Sequence, residues 1–378
     1  MILKKKSSPI LVLWLALITA ACNGQDKGVS IEVKNTLNFD RKELISIPYD
    51  QFKKEYKLAT PFKIIEMVSG NEVPYQLEKA GKESIQNLLV QVAVPAKGGV
   101  VLSVKEGNPA QFAPKTYARY VPERMDDFAW ENDLIAFRTY GKALEGQDGD
   151  ANGFDIWAKR TDSLVVNKWY KSGDYHRDHG QGMDYYDVGL TLGAGDMAPV
   201  VADSIIYSKH YRTHEVLDNG PLRSTFVLGF EPWLVDGKLV SATKTIQIDA
   251  GSQLHKVSVD YDIAGGGSLQ AAIGVSRRKD EGALLKEPEQ GIFGYWEPAH
   301  GEDGILGIGV VSIKPFSSID DTPKQYLAHV EVKHNEPFVY YRGGAWNKAG
   351  KITSAEAWFN YLKQYKAALD APLKVTIK

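Results

Sequence analysis

Short segments in which apolar and polar residues alternate recur along most of this chain, and this pattern most restricts the fold. It begins with VSIEVKNTL at Val29 and continues through KELISIPYDQF, LLVQVAVPA and GVVLSVKEG, separated by Gly, Pro, Asn and charged residues. A period of two places the apolar side chains on one face of a strand. The sequence therefore predicts a mostly antiparallel, all-β protein, with residues 31–115 as a candidate N-terminal β subdomain.

From Asp203 the alternation resumes in SIIYSKHYRTHEVL, PLRSTFVLGFEPWLV, LVSATKTIQIDAG and QLHKVSVDYDI. Asp236-Gly237 and the turn at 249–251 are typical of hairpins. Only Ser354 to Leu369 has the pattern of a helix, with Ser354 as N-cap and an apolar face at helical spacing. We expect residues 31–378 to form one large β-sandwich domain with a single C-terminal helix.

The first 22 residues are typical of a bacterial lipoprotein signal peptide. Lys4, Lys5 and Lys6 precede an apolar run, and small residues precede Cys22, which is the only cysteine in the chain. We expect lipid attachment at Cys22, a tether over 23–30, and export to a periplasmic or outer-membrane location. Membrane contact is then made only through the lipid anchor. A plain secretory signal with an incidental cysteine is the alternative.

The composition restricts the function further. A formal net charge of −2 argues against a nucleic-acid surface, which needs a basic excess. A mature chain without cysteine has neither disulfides nor thiolate–metal sites. Aromatic residues make up 11% of the chain, including eight tryptophans. Such a content suits large β cores, and it also suits sugar-binding sites in which flat rings stack on sugar C–H faces.

The segment Asp174 to Asp187, DYHRDHGQGMDYYD, is the strongest candidate for a site. Its glycines and lack of an apolar face predict a loop. His176 and His179 are candidate base and acid, and Arg177 is a candidate partner for a carboxylate or sulfate. The candidate proton donors are Tyr175, Tyr185 and Tyr186. The alternative is a surface loop held by Asp–Arg and His–Asp pairs.

No cofactor is required by the sequence. The spacing of His176 and His179, with the aspartates of the loop, leaves a divalent metal ion as an alternative role. The acidic segment 126–133 is expected to be a solvated turn, with Ca²⁺ binding as its alternative.

Further residues are candidates for binding a sugar or its anionic groups. His210, Arg212 and His214 would share one face if 209–214 formed a strand. Arg223 begins a strand after a turn, and Lys168 lies beside the loop. Trp296 and Trp346 are flanked by glycine-rich segments, and we expect them to stack on sugars, although most tryptophans belong to cores.

Six long phrases carry a family resemblance: RYVPERMDDFAWENDLIAFRTYGKAL, NGFDIWAKR, VVNKWYKSGDYHRDHGQGMDYYDVG, DNGPLRSTFVLGFEPW, GYWEPAHGEDGILGIGVV and YYRGGAWNKAG. From residue 30 to the C-terminus, the chain resembles a family of secreted Bacteroidota proteins from polysaccharide-degradation loci. That family, initially of unknown function, includes an ulvan oligosaccharide dehydratase. The β-rich sequence also resembles the galactose-mutarotase-like supersandwich of several polysaccharide lyases.

The resemblance implies a dehydratase that removes water from a non-reducing-end glucuronate or iduronate linked to rhamnose-3-sulfate. The product is a 4,5-unsaturated uronate, and the expected partner is an anionic sulfated oligosaccharide such as an ulvan fragment. This β-elimination needs a neutralised carboxylate, a base for the C5 proton and an acid for the departing hydroxyl. We expect His and Tyr to serve as base and acid. The alternatives are a polysaccharide lyase, a non-catalytic glycan-binding lipoprotein, and a glycoside hydrolase, for which no carboxylate pair stands out.

Overall fold

The computed structural model describes residues 29–57 and 61–378. The predicted signal peptide, its lipid-attachment residue Cys22 and the tether up to residue 28 lie outside the described residues. The first strand begins at Ser30, the last residue of the predicted tether. Within the described ranges no helix has the length and hydropathy needed to cross a bilayer.

Strands make up most of the regular structure. The first thirteen are β1 (Ser30–Lys34), β2 (Arg41–Pro48), β3 (Phe62–Glu66), β4 (Tyr75–Glu78), β5 (Asn87–Val94), β6 (Gly99–Glu106), β7 (Thr116–Val121), β8 (Asp127–Asn132), β9 (Ala136–Thr139), β10 (Phe154–Lys159), β11 (Gly182–Met183), β12 (Ala194–Val201) and β13 (Ser204–Ile205). The others are β14 (Thr213–Asn219), β15 (Arg223–Val235), β16 (Lys238–Asp249), β17 (Leu254–Ile263), β18 (Ser268–Ser276), β19 (Ala283–Glu287), β20 (Ile292–Trp296), β21 (Leu306–Ser312), β22 (Ser318–Asp321), β23 (Gln325–Lys333), β24 (Phe338–Trp346) and β25 (Lys374–Ile377). The helices are α1 (Tyr49–Glu55), α2 (Val166–Ser172) and α3 (Ala355–Asp370).

Two sheets belong to the N-terminal part of the chain. One has the order β25-β1-β6-β3 and the other β2-β5-β4. Their apolar side chains form a core of their own, which includes Ile31, Phe52, Phe62 and Val90. The last strand pairs antiparallel with the first, with Ile377 opposite Ile31, so the first and last strands of the described residues lie side by side in one sheet.

Three larger sheets form the rest of the molecule. Their orders are β11-β10-β9-β8-β7, β13-β12-β18-β23-β22 and β14-β15-β16-β17-β24-β21-β20-β19. Side chains from all three meet in one large core, in which Trp130, Phe137, Ile273 and Tyr340 are fully buried. The strands pair antiparallel throughout, and the predicted mostly antiparallel β class is confirmed.

Helix α3 lies on the outer face of the eight-stranded sheet. Its N-cap is Ser354, whose hydroxyl accepts a hydrogen bond from the Ala357 N–H at 3.2 Å, as the sequence predicts. Trp358 and Leu362 are its buried contacts with the sheet. A Cβ at Gly309 would lie 2.5 Å from Leu362 and 2.8 Å from Trp358, so a side chain there would force these two side chains to shift.

Two short helices were not predicted. In α1 the buried residue is Phe52, which packs into the N-terminal core. In α2 the first N–H groups, of Val165 and Val166, donate to the Glu131 carboxylate, both at 2.8 Å. This cap comes from a distant strand, so the local sequence contains no sign of it.

Candidate functional site

The side chains of the predicted loop 174–187 lie in three different environments. Tyr175 and Asp184 point into a buried cluster of charges, and Tyr185 and Tyr186 lie against segments of the other two large sheets. The intervening His176, Arg177 and His179 are exposed. Asp178 holds the tip by accepting from the N–H groups of Gly180 and Gly182, at 2.8 and 3.0 Å.

The buried charges form what we call the Arg138 cluster: Arg138, Asp127, Asp155, Asp184 and Tyr175. The guanidinium contacts Asp155 at 2.7 Å, Asp184 at 2.9 Å and the Tyr175 hydroxyl at 3.4 Å. Burial raises the pKa of Asp127 to about 6, and burial with the nearby Asp155 raises the pKa of Asp184 well above its usual range. Arg124 NH1 also lies 3.3 Å from Asp127, but two guanidinium groups cannot neutralise three carboxylates, so a retained proton is expected here. The cluster fixes both ends of the loop.

The two loop histidines are exposed and bonded within the loop. His176 Nδ1 lies 3.0 Å from the Asp184 carbonyl oxygen, and His179 Nε2 lies 3.0 Å from Asp174. Their side chains are 62% and 61% exposed. Arg177 makes no hydrogen bond or ion pair with the rest of the described chain. These contacts match the predicted alternative of a loop held by pairs, while the catalytic roles of the histidines stay predictions.

A second set of groups, absent from the predicted residues apart from Tyr185, meets beside the loop. We call Tyr185, Arg278, Glu297 and His300 the Glu297 site. Glu297 is only 5% exposed, and its carboxylate accepts from Arg278 Nε at 2.7 Å. Burial raises the pKa of Glu297 to about 7, against the opposing attraction of Arg278 and His300. A carboxyl group with this pKa can take or give a proton near neutral pH.

Tyr185 and His300 complete this site. Their rings stack at 5.3 Å, and the Tyr185 hydroxyl is buried without a hydrogen-bond partner among the described residues. Burial and the carboxylates of Glu297 and Asp303 raise the pKa of Tyr185. The phenol therefore stays protonated over the ordinary pH range. His300 itself is exposed, and its Nδ1 lies 2.9 Å from Asp303.

Arg278 connects the Glu297 site to the loop. Its NH1 group donates to the Asp187 carbonyl at 2.7 Å, and its guanidinium lies 4.2 Å from the centre of the Tyr186 ring. Tyr186 is fixed in turn, because its hydroxyl donates to the Gly193 carbonyl at 3.0 Å. The NH2 group of Arg278 makes no hydrogen bond with the described residues, and it is left for a ligand oxygen.

The position of Glu297 follows from strand alternation. Phe293 and Tyr295 of β20 belong to the large core, whereas Ile292 and Trp296 pack on the opposite side beneath α3. Continuing the period of two places Glu297 on the core side, where a carboxylate is unexpected. That signal was present in the phrase GYWEPAH, and a search for an acid on a predicted core face would have found it.

The predicted strand over 209–214, which would give His210, Arg212 and His214 one common face, does not form. Strand β14 begins only at Thr213, so His210 and Arg212 lie outside it. His210 is buried with its Nε2 2.9 Å from Asp150, and Arg212 donates to Glu145 at 2.7 Å. His214 stacks on Tyr120 at 4.4 Å. The three side chains are thus held by contacts within the protein, and their roles in substrate binding stay predictions.

The two predicted stacking tryptophans are buried. Trp296 faces α3, on the side of the sheet away from the Glu297 site. Trp346 is also buried, and its indole N–H donates to the Asp303 carbonyl at 2.9 Å. Neither ring is available for stacking on a sugar in this arrangement. Trp346 still borders the site, because its ring centre lies 6.5 Å from that of Tyr185.

The remaining predicted residues lie in different places. Lys168 is exposed on α2, and its ammonium group donates to Gln181 at 2.5 Å. Arg223 is buried and bonded to Asp249, so it joins β15 to β16.

In the acidic segment, Asp127, Glu131 and Asn132 are fully buried, and the predicted solvated turn is wrong for them. No group of three or more metal-ligating side chains occurs within residues 29–57 and 61–378.

Comparison with known proteins identifies a family. The model of a domain of unknown function, DUF4861, matches residues 33–375. A relative from Formosa agariphila, called uncharacterized protein P7, is 30% identical over 282 residues, which cover 69% of this chain and 70% of that protein. Neither description names an activity.

Solved structures with a related chain path are more distant. A protein of glycosyl hydrolase family 38 from Enterococcus faecalis gives a TM-score of 0.49 at 9% identity, covering 93% of this chain and 48% of that one. An alpha-mannosidase from Enterococcus faecalis V583 gives 0.48 at 8% identity, covering 93% and 46%. The chain spans about half the length of these two structures.

Proposed function

The chain belongs to the DUF4861 family, and from that premise we propose that it is an oligosaccharide dehydratase. Its substrate would be the non-reducing-end uronate of an ulvan-type, sulfated oligosaccharide, and its location that of an exported lipoprotein. The observation that carries the proposal is the Glu297 site, where a buried carboxyl group with a pKa of about 7 adjoins a protonated phenol and an incompletely bonded guanidinium. These are the three groups that β-elimination beside a carboxylate requires.

In this proposal Glu297 removes the proton from C5 of the uronate. The electron pair of that C–H bond forms the C4=C5 double bond, and the C4–O bond breaks. Tyr185 gives its proton to the departing oxygen, which leaves as water. Proton transfer from Glu297 to the Tyr185 phenolate then restores both groups. The proton-transfer roles thus move from His176 and His179 to Glu297, while Tyr185 keeps the predicted role of donor.

Arginines around the site can neutralise the uronate carboxylate. The NH2 group of Arg278 is free of hydrogen bonds to the described residues and belongs to the same guanidinium that holds Glu297. Arg160 lies 5.9 Å from the Trp346 ring centre, with one nitrogen on Asp178 at 2.7 Å. Arg177 is exposed and unpaired among the described residues. Arg278 would take the carboxylate, and Arg160 and Arg177 would attract the sulfate.

His300 is exposed and its ring stacks on that of Tyr185, so in this proposal a substrate would reach Glu297 past His300. Its Nδ1 interacts with Asp303, which leaves Nε2 facing away from that pair. A bound sugar would replace His300 on the Tyr185 ring or lie against its edge. His300 is therefore a wall of the binding site in this proposal.

The test uses defined oligosaccharides that end in uronate linked to rhamnose-3-sulfate. Dehydration would appear as the loss of one water by mass spectrometry, together with the ultraviolet absorbance of an unsaturated uronate. Chain cleavage with the same absorbance would identify a polysaccharide lyase, and cleavage with gain of water a glycoside hydrolase. Binding without any product would identify a glycan-binding protein and overturn the proposal.

The pH dependence of kcat/KM should report Glu297. The base must be deprotonated, and burial raises its pKa to about 7. We expect kcat/KM to rise about tenfold per pH unit below that value and to level off above it. Because the pKa of Tyr185 is raised, no loss of activity is expected between pH 8 and about 10 from this group. An optimum near pH 5 would contradict the assignment.

Alanine substitutions at His176 and His179 should have small effects. Both rings are exposed and bonded only within the loop, so neither is expected to transfer a proton. We expect kcat of each variant, and of the double variant, to stay within about tenfold of the parent protein. A loss of several hundred-fold in the double variant, with an unchanged circular dichroism spectrum, would return the catalytic role to these histidines.

A further inference from the structure

A cavity lies on the outer face of the eight-stranded sheet, away from the Glu297 site. It has a volume of about 370 Å³ and is lined by the C-terminal half of α3, by β2 of an N-terminal sheet and by the ends of β16 and β17. We call it the α3 pocket, and its lining includes Asp249, Lys256, Tyr341, Tyr361, Gln364 and Tyr365. Its volume is at the lower end of the range of about 300–1,000 Å³ usual for ligand pockets.

The sheet separates this pocket from the Glu297 site. Adjacent residues of a strand point to opposite faces, and Arg342 of β24 is buried against Phe137 in the large core. Tyr341 therefore points outward, where its ring contacts Tyr365 of α3 at 5.4 Å. Tyr185 and Trp346, in contrast, pack with the large core. A ligand in the α3 pocket cannot reach the catalytic groups.

The charges of the pocket favour an anionic ligand. Asp249 is neutralised by two hydrogen bonds from Arg223, at 2.6 and 2.8 Å. Glu43, another carboxylate of the lining, is neutralised by Arg41, with NH2 at 2.9 Å. Asp40, the third carboxylate of the lining, accepts from the Ala96 N–H and has no cation partner among the described residues. Lys42 and Lys256 make no hydrogen bond or ion pair with the described part of the chain, so the lining keeps one positive charge in excess. A sulfate or carboxylate would form a charge-assisted hydrogen bond with Lys256.

The aromatic side of the pocket suits a sugar. Tyr361 is fixed because its hydroxyl accepts from the Gln253 N–H at 3.0 Å, and its ring lies 6.1 Å from that of Tyr365. The Tyr341 hydroxyl and the Gln364 amide make no hydrogen bond to the described residues. Tyrosine rings can cover the C–H faces of a pyranose while free hydroxyl and amide groups bind its hydroxyls. Ring faces, free polar groups and one positive charge in excess together describe a site for an acidic sugar.

We propose that the α3 pocket binds an acidic oligosaccharide of about two sugar units without converting it. The substrate class rests on the proposed function, but the binding itself does not need catalysis. Such a site would hold a polymer on the enzyme while its non-reducing end occupies the Glu297 site. It would therefore lower KM for long chains and leave kcat on short ones unchanged.

The test is calorimetric titration of the whole mature protein with a sulfated uronate–rhamnose disaccharide and, separately, with its desulfated form. Two binding events are expected for the sulfated sugar. In Lys256→Met and in Tyr341→Ala the weaker event should lose at least about tenfold in affinity, equal to about 1.4 kcal/mol. Lys324→Met is the matched control. Lys324 is an exposed lysine beside another sheet, and its side chain has no partner among the described residues.

The outcomes separate this proposal from the proposed function. Unchanged titrations in both pocket variants would overturn the α3 pocket, and so would a single binding event in the parent protein that neither variant weakens. The single variant Lys256→Met would support the pocket if it turned over a disaccharide normally but showed a raised KM for polymer. If the protein produces no unsaturated sugar but still shows the Lys256-dependent event, the dehydratase assignment fails and the pocket stands.

Discussion

Replacement of Glu297 by glutamine is expected to lower kcat by about 10²–10⁴-fold. The glutamine amide has the size of the carboxyl group and keeps one oxygen for Arg278. In the parent protein, Arg278 Nε contacts the Glu297 carboxylate at 2.7 Å. It cannot accept the C5 proton. Because Glu297 is nearly buried, few water molecules are available to replace it as the base. The measurement is the initial rate of absorbance increase with the defined sulfated oligosaccharide.

The matched control is Glu289→Gln, which removes an exposed carboxylate just before β20, the strand that Glu297 follows. It should keep the rate of the parent protein. The pH profile provides a second readout, since the limb near pH 7 should disappear in whatever activity Glu297→Gln retains. Parent-level activity in Glu297→Gln, or an unchanged limb, would exclude Glu297 as the base.

Tyr185→Phe should give a loss of kcat of similar size. The double variant should lose little more, because the two groups act in one step.

Local sequence patterns predicted the features that depend on neighbouring residues. Strand alternation does not depend on distant contacts, so the antiparallel class was predictable, as was α3, whose cap Ser354 is three residues from its partner Ala357. Helix α2 was missed because Glu131, which caps it, lies 34 residues before Val165. The strand expected at 209–214 failed for the same reason, since Asp150 holds His210 across 60 residues.

In the candidate site, too, local sequence predicted some features, and others depend on contacts between distant residues. The unusual composition of 174–187 located a segment that lies beside two ionisable clusters, and Tyr185 was among its predicted donors. The composition could not distinguish Tyr185 from the exposed His176, because exposure depends on what packs over the loop. Arg278 and Glu297 lie about a hundred residues further along the chain. Arg278 follows β18 of one sheet and Glu297 follows β20 of another, so the packing of two sheets brings them to Tyr185. Such long-range proximity has no local signal beyond an acid on a core face.

Replacement of Lys159 by methionine is expected to lower the free energy of unfolding by about 3–5 kcal/mol. Lys159 is fully buried, with its ammonium group 2.8 Å from Glu131 and 2.6 Å from the Asn132 carbonyl. Methionine fills similar space but leaves the Glu131 carboxylate buried without its cation. That same carboxylate caps α2, directly before the loop 174–187. The loss should appear in urea unfolding followed by tryptophan fluorescence.

The double variant Glu131→Gln/Lys159→Met distinguishes an unpaired charge from simple loss of packing. It removes the charge and keeps one amide oxygen for an N–H of α2, so it should be more stable than Lys159→Met alone. An equal destabilisation in the two variants would mean that packing rather than charge holds α2 and the loop in place.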